Sequence, residues 1–410
     1  MKLFKREKYL SRIRGHYYQN EIIKVITGTR RCGKSSLMLM IMDELIYDGV
    51  NEKQIVYINL DKRGYKNIKT DSQLEQVIDS LTKNLSGNIY LFIDEIQNVN
   101  NFESIIEAFR LEENFSIFIT GSNSYLLSGE LITKLTGRYI EFEIQTLSFD
   151  EYLQMKNFYN IPVNNDLFNE LNNYIIEGGF PGSFLYSDLP NKRNYVKSIV
   201  NEIISKDIRK RIKIRKPETF NLVMNYVINN YGSTTSLNNI LKQLNKNGFI
   251  IGKPTLLRYM QCLVDAKILY KCDRFDLKSR KMFISDKKYY LADLSLMFVT
   301  NPDSRINYGP ALENLVYMYA RSLSYEVYVG RIGKLECDFI LKDLFLNYAY
   351  VQVCFKMIGD DKVEDREYKP LEMIKDNYPK YVLTTDTLKQ RRNGIIHENI
   401  CDFISNGKTF

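Results

Sequence analysis

Along the first third of the chain, apolar residues fall in short unbroken runs rather than in alternation. The runs are Ile22-Ile23-Lys24-Val25-Ile26, Ile55 to Leu60, Ile89 to Ile93, Phe115 to Thr120 and Tyr139 to Ile144, each rich in β-branched or aromatic residues. Such runs predict strands, and unbroken ones predict strands covered on both faces. Between them, Asp71 to Leu85 and Phe102 to Leu111 carry helical spacing. Strands alternating with helices predict an α/β domain around a parallel sheet. In such a sheet a ligand lies beyond the carboxyl ends of the strands, so the residues that end each run are the candidates for chemistry.

Beyond about residue 210 the pattern changes. A basic stretch, Arg209-Lys210-Arg211 and Lys213 to Lys216, ends at Pro217. Helical patterns follow at Phe220 to Asn230, Ser236 to Asn245 and Pro254 to Ala266, then strand-like runs at Ile268 to Cys272 and Lys288 to Leu291 separated by Lys278-Ser279-Arg280-Lys281. Three helices and two strands joined by a basic loop are the order of a winged helix-turn-helix. In it Gly252-Lys253-Pro254-Thr255 would open the recognition helix, with Lys253, Thr255 and Arg258 outward and Leu256, Leu257 and Leu263 inward. The last part reads as a helix at Ala311 to Leu323, strands at Tyr325 to Val329, Cys337 to Leu341 and Ala349 to Phe355, a helix near Arg366 to Ile374 and a strand at Tyr381 to Thr384. The expected domains are therefore 1–210, 211–300 and 301–410.

A length of 410 residues is ample for two or three domains. No apolar stretch is long enough to span a bilayer and the first residues are charged, so no membrane partner and a cytoplasmic protein are expected. Six scattered cysteines and two histidines give no metal-ligand spacing or disulfide framework. A net charge of +8 permits a nucleic-acid partner without requiring one. The basic candidates are Lys253, Arg258, Lys278, Arg280 and Lys281, toward a DNA backbone. The same winged helix could equally serve as a lid that binds protein.

The strongest chemical signal is Gly28-Thr29-Arg30-Arg31-Cys32-Gly33-Lys34-Ser35-Ser36, between the first run and a helical pattern. This is a phosphate-binding loop: its glycines let backbone N–H groups turn toward phosphate at a helix N-terminus, Lys34 reaches the β- and γ-oxygens, and Ser35 offers its hydroxyl to Mg²⁺. The run ending at Ile93 leads into Asp94-Glu95, where Asp94 suits Mg²⁺ and Glu95 suits activation of the attacking water. Gln97 is either polar surface or a nucleotide sensor. After the next run, Asn123, with Ser122 as alternate, could orient that water or simply cap a helix. Arg138 is a candidate finger for transition-state charge; if it acts on a neighbouring chain, the active species is a homo-oligomer.

These residues, with Gly178-Gly179-Phe180-Pro181, resemble the AAA-type P-loop ATPases of bacteria and archaea that carry a winged helix and a C-terminal domain of unassigned function. The resemblance implies a parallel sheet of order 5-1-4-3-2 and a site for ATP rather than GTP, and no guanine-reading motif stands in the chain. Gly178 to Pro181 would shape a lid or form a plain tight turn. The last domain is similar to the restriction-endonuclease-like α/β core, whose active members carry Asp on one strand and (Asp/Glu)-x-Lys on the next. This chain has Glu313 and Asp338, but Gln352-Val353-Cys354 where the acid and lysine belong. Lys356 could substitute if strand alternation carried it to the same face. The combined expectation is an ATP-hydrolysing switch that moves C-terminal DNA- or protein-binding domains, with a nucleotide-regulated DNA binder and an ATP-dependent nuclease as alternatives.

Overall fold

In the structure, a computed structural model that describes residues 3–121, 135, 137–209, 212–301, 303 and 305–410 and only the backbone of 283–286, the five apolar runs are strands. They are β1 (Ile23–Gly28), β2 (Ile55–Asn59), β3 (Ile89–Asp94), β4 (Phe115–Thr120) and β5 (Tyr139–Ile144). All are parallel, in the order β2-β3-β4-β1-β5. The three central strands are buried at every position, whereas the edge strands β2 and β5 are half-buried. Alternation splits their side chains between two cores. Ile23, Val25, Leu91, Ile93, Ile117 and Ile119 meet α3 (Asp71–Thr82) and α4 (Phe102–Leu111) on one face. Ile26, Phe92 and Phe118 meet α1 (Glu7–Ile13) and α2 (Lys34–Tyr47) on the other.

Contacts divide the chain into two compact units, residues 1–144 and 145–410. Helices α5 (Phe149–Phe158), α6 (Leu167–Glu177) and α7 (Leu189–Glu202), grouped on the sequence pattern with the first sheet, share the core of the second unit. That core also takes in α8 (Pro217–Asn229), α9 (Leu237–Lys246) and α10 (Lys253–Asp265).

The second sheet carries β6 (Thr234–Thr235), β7 (Leu269–Asp276), β8 (Lys281–Leu291), β9 (Glu326–Ile332), β10 (Leu335–Lys342), β11 (Tyr348–Val353), β12 (Lys380–Thr384), β13 (Arg391–Arg392) and β14 (Ile395–Asn399). Its order is β13-β14-β12-β11-β10-β9-β7-β8-β6. The β7–β8 hairpin joins the later strands through parallel pairing of Arg274 with Val329, so one sheet runs across residue 300. Helices α11 (Ser295–Thr300), α12 (Tyr308–Ser322), α13 (Asp361–Glu372) and α14 (Ile400–Ser405) complete the unit. No helix among the described residues is long and apolar enough to cross a membrane.

Two local expectations are corrected. Leu257 is 47% exposed, because residues 256, 259, 260 and 263 form the inward stripe of α10 and 257 falls on the opposite side. β11 ends at Val353, so strand alternation does not extend to Lys356, which is exposed with its ammonium over the Phe355 ring.

Candidate functional site at the carboxyl edge of the first sheet

The loop from β1 to α2 owes its shape to residues in the left-handed region: Gly28 at φ 140°, Arg31 at 65° and Gly33 at 110°. At Gly28 there is a second constraint, since a Cβ there would lie 2.1 Å from the Ile144 carbonyl oxygen on β5. Arg6 braces the far side by donating to the Cys32 carbonyl at 3.1 Å. Thr29 and Cys32 are buried, and Ser35 and Ser36 are half-buried at the start of α2. The buried Lys34 ammonium donates to the loop's own carbonyls, Gly28 O at 3.0 Å and Thr29 O at 3.1 Å. These are neutral acceptors that a phosphate oxygen can outcompete.

Asp94 ends β3, fully buried. Its carboxylate accepts from Asn59 Nδ2 at 2.8 Å, from the Tyr57 hydroxyl at 3.1 Å and from Thr120 Oγ1. Burial first, and Asp94's charge second, push the Tyr57 hydroxyl up to about 12, so it remains a donor. Glu95 sits at φ 60°, turning its side chain off the strand line. Its backbone N–H donates to Thr120 Oγ1 at 3.2 Å, and its carboxylate accepts from Gln97 Nε2. Gln97 is thereby tied to Glu95 rather than lying as free polar surface.

Asn59, Tyr57 and Thr120 were missed in the sequence. Thr120 is a polar residue ending an apolar run, which is the signal that singled out Asp94, and Asn59, the last residue of β2, pairs in register with Asp94. Asn123 and Ser122 lie outside the described residues. Arg138 stands at the opposite edge of the sheet: its carbonyl accepts from the N–H of Ile23, where β1 begins. Five residues of strand, roughly 16 Å, separate that end from Gly28. Its guanidinium is paired with Glu107, which also binds Arg110 at 2.8 Å.

In the second unit, Gly178-Gly179-Phe180-Pro181 clasps a buried turn. The Gly179 N–H donates to Asp293 Oδ2 at 2.8 Å, and a Cβ at Gly178 would lie 2.2 Å from Asp293 Oδ1. Burial raises the Asp293 carboxyl.

The nuclease-like residues are only partly united. Asp338 Oδ2 accepts from the Val353 N–H at 2.8 Å, and Gln352 Oε1 accepts from the Asp338 N–H at 3.2 Å. Glu313 accepts from Lys288 Nζ at 2.9 Å and from the Tyr290 hydroxyl at 3.1 Å, and Lys288 also binds Glu336 at 2.9 Å. Burial and the charge of Glu313 hold Asp338 well above the carboxylate range. For Lys288, burial lowers the ammonium, and Glu313, Asp338 and Glu336 more than offset it, so the net shift is upward. Among the described residues no three His, Cys, Asp or Glu side chains group to hold a metal.

Lys253, Lys278, Arg280 and Lys281 are exposed, and Arg258 Nη2 donates to the Lys213 carbonyl at 3.1 Å.

Residues 20–153 match the family described as "AAA domain", and residues 168–302 match one described as "Domain of unknown function (DUF8612)". An uncharacterized protein of Haemophilus influenzae is 32% identical over 383 residues, 93% of this chain and 93% of that one. Another, of Methanocaldococcus jannaschii, is 31% identical over 368 residues, 86% of this chain and 79% of the relative. Among solved structures, a Walker-type ATPase of Pyrococcus abyssi is similar in fold, with a TM-score of 0.51 and 16% identity over 73% of this chain and 96% of that one.

Proposed function

The chain belongs to one family with the Haemophilus influenzae and Methanocaldococcus jannaschii proteins, built on an AAA domain, and from that premise we propose that it is an ATP-hydrolysing switch. The observation that carries the reading is the left-handed loop with Lys34 resting on displaceable carbonyls, on the same sheet edge as Asp94 and Glu95. The strand order β2-β3-β4-β1-β5 supports the additional-strand P-loop arrangement. The loop N–H groups and Lys34 suit the β- and γ-phosphates, and Ser35 and Asp94 suit Mg²⁺. Bound there, Mg²⁺ would neutralise charge on the phosphate oxygens. Tyr57, Asn59 and Thr120 aim the Asp94 carboxylate, and Gln97 holds the Glu95 carboxylate, which takes the proton of the attacking water.

Arg138, at the opposite edge from its own loop, suits a neighbouring copy's phosphate, so the proposal includes a homo-oligomer. Asn123 remains the proposed water-orienting residue. The proposed setting is the cytoplasm. Binding of a fluorescent ATP analogue tests the site: the parent binds it in Mg²⁺, and Lys34→Ala loses that binding while keeping its thermal melting profile. An unchanged affinity in Lys34→Ala would overturn the assignment.

A second reading, in which the winged helix-turn-helix region contacts DNA, is favoured by the exposed Lys278, Arg280 and Lys281 around one hairpin turn. Nucleotide would then regulate DNA affinity, whatever the turnover. Nuclease chemistry at Glu313, Asp338 and Gln352 is not favoured, because Glu313 is paired with Lys288 and burial disfavours the charged form of Asp338.

A further inference from the structure

Strand β8 sends alternate side chains to opposite faces of its sheet, and the two faces have different surroundings. Lys288 and Tyr290 point to Glu313. Lys287 and Tyr289 line a cleft on the other face, of about 510 Å³, shared with Lys271 of β7, the start of α9 and one side of α10. Lys271 stands directly across from Tyr289 in the hairpin register. From α10 the cleft receives Lys253, Leu257 and Gln261, spaced four apart on one stripe, while Leu256, Tyr259, Met260 and Leu263 occupy the core. This explains why a leucine expected inside is exposed.

Among the described residues, the cleft is lined by three lysines and by no acidic residue. Asp273 pairs with Lys287 at 2.9 Å and Lys271 at 3.3 Å, so one carboxylate serves two ammonium groups and a net positive charge remains. Leu257 and Tyr289 supply apolar surface beside that charge, and Ser236 and Asn238 bring the start of α9, where backbone N–H groups are not committed within the helix. Cations to track phosphates and an aromatic platform for a base are the combination that holds a single nucleic-acid strand. The volume suits a nucleotide unit, within the roughly 300–1,000 Å³ typical of ligand pockets, and not a duplex.

We propose that this cleft binds single-stranded nucleic acid, with Lys253, Lys271 and Lys287 on the phosphodiester backbone and Tyr289 against a base. The inference rests on the reading of this region as nucleic-acid binding, and it adds a site separate from the basic turn at Lys278 to Lys281.

The test is fluorescence anisotropy of the full chain with labelled single-stranded and duplex oligonucleotides across a salt series. Changing Lys253, Lys271 and Lys287 together to Gln should weaken single-strand binding by at least about tenfold and lower the salt slope by about 2, at roughly 0.7 per phosphate contact. Leu257→Asp, at an exposed helix position, should weaken it without altering the melting profile, and Tyr289→Leu should cost on the order of tenfold. Neutralising Lys278, Arg280 and Lys281 should weaken duplex binding more than single-strand binding. A folded cleft variant with the parent's single-strand affinity and slope overturns the inference, as does a mononucleotide that competes as strongly as a strand. If the turn variant loses single-strand binding and the cleft variants keep it, the nucleic-acid reading stands and the cleft falls. If the parent binds no nucleic acid, both fall.

Discussion

Lys34 and Lys288 are both almost fully buried, 6% and 5% exposed, and what each ammonium touches separates the two halves of the molecule. Lys34 rests on two neutral main-chain carbonyls, an arrangement that costs little to give up when a phosphate arrives. Lys288 is clamped by two carboxylates and serves as their counter-ion. A buried lysine is therefore not evidence of a site in itself. Its partners decide whether the charge is available.

That contrast can be broken most decisively in the first unit. Lys34→Ala should reduce ATP turnover by on the order of a hundredfold or more, measured by phosphate release, with little change in the melting curve. The reverse is expected for Lys288→Met. It leaves Glu313 and Glu336 without their shared cation and should destabilise the second unit by about 3–5 kcal/mol in urea unfolding. Adding Glu313→Gln and Glu336→Gln should recover much of the loss. A Lys288→Met protein of unchanged stability would mean that the clamp is not structural.

The loop side is sharpened by two glycines. Gly28→Ala combines a φ of 140° with a Cβ 2.1 Å from the Ile144 carbonyl, whereas Gly49→Ala has a φ of 95° and nothing within 4 Å. Both pay for backbone strain of about 1–3 kcal/mol, but only Gly28→Ala should also lose nucleotide binding, as read by titration with a fluorescent ATP analogue.

A third buried lysine carries the comparison to pH. Lys24 on β1 donates to the Gln19 carbonyl at 2.6 Å and to Ser116 Oγ at 2.9 Å. Burial lowers its ammonium from the ordinary 10.5 to about 7. Between those values the unfolded chain holds a proton that the folded one does not, so stability rises with pH from about 7 to about 10.5. Below about 7 both states are charged and the slope from this group vanishes. Lys24→Met should flatten that rise in a pH series of denaturant midpoints, and an unchanged slope would contradict the assignment.

How much of this was legible in the sequence follows from how local each feature is. The phosphate loop and Asp94-Glu95 depend on neighbours in the chain, and the unbroken runs declared a sheet covered on both faces. Tyr57, Asn59 and Thr120 reach Asp94 only because β2 and β4 flank β3, a matter of strand order that no single run encodes. Lys288 escaped notice because its role needs α12 and β10 beside it. Leu257 was placed on the wrong face because adjacent leucines at 256 and 257 leave the helical phase ambiguous until the rest of α10 fixes it. Lys356 was given a strand's alternation three residues after the strand had ended. Arg138 was found by its place in the order of parts, but its distance from its own loop became plain only from the start of β1 and β5.

The central claim is that Glu95 turns a nucleotide-binding loop into a hydrolytic site. It is tested most directly by steady-state ATP turnover in Mg²⁺ for the parent and for Glu95→Gln, with nucleotide binding measured on the same preparations. The account predicts turnover by the parent and, in Glu95→Gln, retained binding with turnover reduced by on the order of a hundredfold. Hydrolysis by Glu95→Gln at the parent's rate would contradict it.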